Sequence, residues 1–151
     1  MKTDDLNFIM KIFAIRDGMA DIIETIPIDS DFINAVNAIL EHKDDTYIVC
    51  DDKMFPVAEM LSAKLEDMGI LTHISDEIFD SGLPIVLSGE VNPLINIDNK
   101  MIVIGKINPN KSNVIFIEIP DIINEISLGT IMAVICDIIG KMVEVVSAQR
   151  F

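Results

Sequence analysis

The chain has 151 residues, half of them hydrophobic, a net charge of −14 and a mean hydropathy of +0.44. That length suits a single domain with a real core. The charge argues against a nucleic-acid partner, because phosphate backbones are held by Lys and Arg, and here 11 of these face 25 Asp and Glu.

The most apolar run, Ile126 to Val146, is interrupted by Asp137, Lys141 and Glu144. Its uncharged part falls well short of the roughly 20 residues a bilayer requires, so no membrane association is expected. No charged segment leading into an apolar stretch and a small-residue cleavage site opens the sequence. A cytoplasmic protein is the expectation. The apolar excess exceeds what one small sheet can cover, which points to a homodimer or homotetramer. Cys50 and Cys136 lack metal-ligand spacing and read as small core residues. Neither a cofactor nor a metal is expected.

Thr3 caps a first predicted helix whose buried side runs from Phe8 to Ile26, and Pro27 ends it. Asp29 or Ser30 caps a second, with Phe32, Ile33, Val36, Ile39 and Leu40 as its apolar stripe. These two helices, about residues 3–42, precede an α/β core of about residues 46–146. The core opens with a strand over Tyr47–Cys50, a tight loop, and a helix begun at Pro56 and stopped at Gly69. Val57, Met60, Leu61, Leu65 and Met68 recur at helical spacing and are expected to face the sheet.

A second strand is predicted over Leu71–Ser75, carrying His73 as a packing residue, and a third over Pro84–Leu87. Val91–Lys100 is too short and too Pro/Asn-rich for a full crossover helix. Met101–Ile104 and Val114–Ile119 are two more strands, joined by a polar loop over Lys106–Asn113. The unbroken apolar run of the former is typical of a parallel strand covered on both faces. The last helix, Leu128–Val146, is apolar on most sides, hence central or at an interface. The fold class is therefore α/β, a three-layer αβα sandwich around a parallel sheet of about five strands.

Three stretches in this order carry a resemblance. Phe32 to Leu40 with Tyr47 to Gly69 supplies an entering helix, first strand and first helix; Ser88-Gly89-Glu90 follows an apolar strand; Ser127-Leu128-Gly129-Thr130 precedes the last helix. The chain resembles the sugar isomerase (SIS) domain superfamily, and within it the 6-phospho-3-hexuloisomerases. The second stretch is similar to a shortened Ser-Gly-Ser-Gly-Glu-Thr loop, and the third to Pro-Leu-Gly-Thr. The resemblance implies a trimmed SIS-like fold with ligand-binding residues Asp52, Lys53, Ser88, Gly89, Glu90 and Thr130.

The functional positions diverge from the family. Its first loop reads Gly-x-Gly-Arg-Ser-Gly; here Cys50, Asp52, Lys53, Met54 and Phe55 stand there, so only the basic residue is kept. The family histidine falls on Asp67, and its proposed acid/base glutamate on Ala133. A phosphate about 5 Å from Asp51 or Asp52 would meet roughly 3 kcal/mol of repulsion per charge pair at an effective dielectric near 20. An aldose–ketose shift needs a positioned base. The carboxylates near expected loop ends are Glu77, Glu90 and Glu125, of which Glu77 and Glu90 are the catalytic candidates; each also reads as a solvated surface charge. Asp51 and Asp52 lack the further ligands that Mg²⁺ would require. Three functions follow. The leading one is a divergent SIS module without hexuloisomerase activity, binding a carbohydrate derivative or serving regulation or assembly. The others are an active sugar-phosphate isomerase using substituted residues, and a structural partner of a genuine SIS enzyme.

Overall fold

The computed structural model of the protein describes residues 28–89, 98–120 and 128–149. The first predicted helix, Glu90, most of the 91–100 connection, Glu125 and Ser127 lie outside them.

Helix α1 spans Ser30–Glu41. Asp29 is its N-cap, and its carboxylate accepts the Asp31 N–H at 3.0 Å. That bond satisfies one of the amides the first turn leaves open. The helix ends at His42, whose ring bonds the Asp45 carboxylate at 3.0 Å while its carbonyl accepts the Thr46 hydroxyl. The chain is thereby turned directly into β1, Thr46–Val49, buried throughout.

Helix α2 runs from Phe55 to Glu66, with Pro56 in its first turn as expected. Val57, Ala58, Leu61 and Leu65 are its buried face. Met60 was expected there but is 39% exposed. One residue before Leu61 means a rotation of about 100° around the helix, enough to carry it off the stripe. Strand β2 is only Ile74–Ser75, against the predicted Leu71–Ser75, and Leu71 is 69% exposed. As an edge strand it pairs with β1 alone, and a short edge limits unwanted pairing. His73, expected within the strand, lies just before it and is exposed, with its ring stacked on Tyr47 at 5.2 Å and 5°.

Strand β3 covers Leu83–Gly89, β4 Met101–Gly105 and β5 Val114–Glu118. All five strands are parallel, in the order β2-β1-β3-β4-β5. β3 slips by one residue against β4 at Ser88, a bulge at the end of the strand. The polar 106–113 loop joins β4 to its parallel neighbour without a helix, as the sequence predicted.

Helix α3, Leu128–Gln149, packs on both α1 and α2. The three described helices share one core with Ile48, Ile85, Leu87, Ile102, Ile104 and Ile117. Tyr47, Val49, Val86, Met101 and Val103 form a second buried set on the opposite face. β4 is therefore apolar on both sides, which explains its unbroken sequence. The architecture is α/β, a trimmed αβα sandwich. Among the described residues no helix is long and apolar enough to cross a membrane.

Candidate functional site

The strand order reverses direction between β1 and its neighbours, since the chain passes from β1 outward to β2 and returns on the other side as β3. In open parallel sheets the crevice beyond the strand ends at such a point is the usual ligand position. A cleft of 240 Å³ opens there, lined by Val49, Cys50, Asp51, Asp76, Val86, Leu87 and Ser88.

Each wall has a local cause. The Cys50 N–H still bonds the Ser75 carbonyl at 3.1 Å, so β1 and β2 stay together up to the cleft before Asp51 and Asp76 leave them. Asp51 then turns inward. Its carboxylate accepts the Met54 N–H at 3.1 Å, and its carbonyl lies 3.2 Å from the same nitrogen. The next amide, Phe55, bonds the Asp52 carbonyl, and Pro56 has none to give. The chain's own carboxylate thus stands at the approach to α2, bonding the amide of the N-cap residue Met54, where the dipole and first-turn amides favour a bound anion; the helix has no side-chain cap of its own.

The Met54 side chain is buried beside the same helix start, only 8% exposed. A Cβ on Gly89 would lie 3.7 Å from Met54 Cε and 3.2 Å from Leu128 Cδ2. The loop after β1, the end of β3 and the first turn of α3 therefore meet around a thioether. Burial, then the Asp51 and Asp52 charges, push the Cys50 thiol up from its ordinary range. On the opposite wall the Ser88 hydroxyl donates to the Ile104 carbonyl at 3.2 Å, the bulge having turned it toward β4.

No protein-family model and no curated protein matches this sequence. Solved structures match it in shape. A Bacteroides fragilis protein assigned as a phosphosugar isomerase involved in capsule formation superposes with a TM-score of 0.62, over 93% of this chain and 92% of that one, at 16% identity. The sugar isomerase domain of an RpiR transcription factor from Sphaerobacter thermophilus gives 0.57, over 86% and 85%, at 14% identity. A hypothetical protein gives 0.56, over 95% and 90%, at 11% identity. The chain has the SIS-domain fold.

Within that SIS fold the predicted residues separate. Ser88 lies in the cleft, together with Asp51. Asp52 and Lys53 are exposed on the loop outside its walls, and Gly89 is buried against Met54 and Leu128. Thr130 is exposed in the first turn of α3. Glu77 is exposed beyond β2, its N–H held by the Ser75 hydroxyl, and does not line the cleft. Asp76 is the wall that sequence reasoning missed; a carboxylate immediately after a predicted strand end was the available signal. Among the described residues no three His, Cys, Asp or Glu side chains gather to hold a metal ion. A second cavity of 270 Å³, lined by residues that include Asp29, Asp31, Lys106 and Glu118, stands across the sheet at the ends of β4 and β5.

Proposed function

We propose that this chain is a divergent SIS module that has lost the hexuloisomerase site and binds a carbohydrate derivative in a regulatory or assembly role, without converting phosphosugars. One observation carries the reading: the start of α2 is occupied by Asp51 and Met54 of the chain itself. A phosphate there would disturb the Asp51–Met54 bond and approach the Asp51 charge, and Met54 offers no hydroxyl. The positions where the resemblance puts ionisable catalysts hold Asp67, exposed after α2, and Ala133, partly buried in α3. A methyl group cannot take or return a proton. The RpiR neighbour's sugar isomerase domain belongs to a transcription factor, which favours a regulatory use of the fold.

A coupled assay for interconversion of hexulose 6-phosphate and fructose 6-phosphate tests this, and no turnover above background is expected. Turnover abolished by Glu90→Gln would sink the reading and promote an active isomerase.

Assembly is part of the same proposal. Phe55 and Met60 stand exposed on α2, at 45% and 39%, about 140° apart around the helix, and the reading rests mainly on the apolar excess of the whole chain. Light scattering is expected to give a homodimer or homotetramer at micromolar concentration; a clean monomer contradicts this.

A further inference from the structure

The cleft between β1, β2 and β3 has a chemical bias that the SIS fold does not itself require. Its polar side chains offer acceptors and almost nothing to donate. Asp51 and Asp76 are carboxylates that follow adjacent strands paired through Val49 and Ser75, a register that sets Asp76 level with Cys50 and Asp51 one residue beyond. Neighbouring strands run about 4.8 Å apart, so the two leave the sheet on adjacent strands at successive levels. The ion pairs found among the described residues are His42–Asp45, Lys64–Glu144 and Lys141–Asp137, and none of them involves either carboxylate. Lys53, nearest in the chain, does not line the cleft.

Ser88 completes the pattern. Its proton is engaged with the Ile104 carbonyl, so what remains for a ligand is an oxygen with lone pairs. Cys50 adds only a weak donor. Behind these acceptors Val49, Val86 and Leu87 provide an apolar floor, in a cleft of 240 Å³ that suits a compact molecule rather than a nucleotide. A ligand that fits must bring hydrogen-bond donors, preferably a positive charge, and a small C–H surface.

We infer that this cleft is a binding site for a small hydroxylated amine, such as an unphosphorylated amino sugar, whose ammonium lies between Asp51 and Asp76 and whose hydroxyls donate to them and to Ser88. The inference rests on the reading above that this end of the sheet rejects phosphate, and it supplies that reading's missing ligand class. Phosphorylation of the same ligand would add the charge that both carboxylates repel.

Calorimetric titration of the full chain with glucosamine, glucose and glucosamine 6-phosphate tests it. Glucosamine is expected to bind, glucose about fivefold more weakly or worse, and glucosamine 6-phosphate not measurably. Asp76→Asn is expected to lower glucosamine affinity about tenfold with an unchanged Tm, because Asp76 is an exposed residue beyond the edge strand. Equal affinity for glucose and glucosamine, an unaffected Asp76→Asn variant, or silence from all three sugars overturns the inference and leaves the phosphate-excluding reading intact. Tighter binding of glucosamine 6-phosphate than of glucosamine overturns both.

Discussion

Gly82→Ala is expected to destabilise the protein by about 3 kcal/mol, from left-handed backbone strain of about 1–2 kcal/mol and a steric contribution of similar size. Gly82 has φ +79°, and a Cβ there would lie 2.5 Å from the Asp45 carbonyl oxygen and 3.2 Å from the Tyr47 ring. Neither neighbour can yield easily. The Asp45 carbonyl accepts the Leu83 N–H at 3.0 Å, which starts the β1–β3 pairing. Tyr47 is buried, its hydroxyl accepting the Phe79 N–H at 2.8 Å. Gly69 provides the control, because it has φ +80° and nothing within 4 Å of its missing Cβ. Gly69→Ala should therefore cost only the backbone part, about 1–2 kcal/mol. Urea unfolding of the two variants separates the contributions. Equal losses would show that the β1 start gives way freely, and that the contact at Gly82 does not matter.

What the sequence made legible was whatever depends on near neighbours in the chain. Asp29 caps α1 because the capping oxygen and the amide it meets are two residues apart. Gly69 marks the end of α2 because the left-handed turn is local. The Met101–Ile104 run predicted a strand covered on both faces, since any strand so placed must be apolar at every position. Features set by sheet order were harder to read. β2 is only two residues long, and nothing in Leu71-Thr72-His73 announces that these residues stay outside the sheet or that the strand will lie at its edge. Met60 and Leu61 are both apolar, and the direction of the sheet alone decides which one it covers.

The candidate site divides in the same way. The loss of the phosphate loop was visible in Asp51, Asp52, Met54 and Phe55, because residue types and spacing carry that motif. The means of closure was not visible. Met54 reads as a substitution for a small polar residue, and only the meeting of β1, β3 and α3 places its thioether beside Gly89 and Leu128. Asp76 lies 25 positions after Asp51, and the β2-β1-β3 order brings the two into one cleft. Ser88 was named for its motif, but the bulge that turns its hydroxyl onto Ile104 depends on the pairing of β3 with β4.

The second large effect concerns the start of α2, and it is a gain of binding. In the double variant Asp51→Asn, Asp52→Gly, both charges are removed and one family glycine is restored. Asparagine at position 51 can still accept the Met54 N–H, so the turn before α2 and the fold are expected to survive. Lys53 remains to draw an anion toward the helix start, where dipole and first-turn amides favour it. Each carboxylate about 5 Å from a phosphate contributes roughly 3 kcal/mol of repulsion at an effective dielectric near 20, about a hundredfold in affinity before solvent screening. Met54 and Phe55 still deny space and a hydroxyl, so the affinity gained should stop near millimolar, about −4 kcal/mol.

The most direct test is a calorimetric titration of fructose 6-phosphate into the parent chain and the double variant under identical salt. The parent is expected to give no binding heat, and the variant a dissociation constant of about 1 mM. If neither binds, the charges are not what closes the site and Met54 and Phe55 alone account for it. Binding by the parent at micromolar concentration would contradict the account, because a site occupied by Asp51 and Met54 leaves the phosphate nowhere to go.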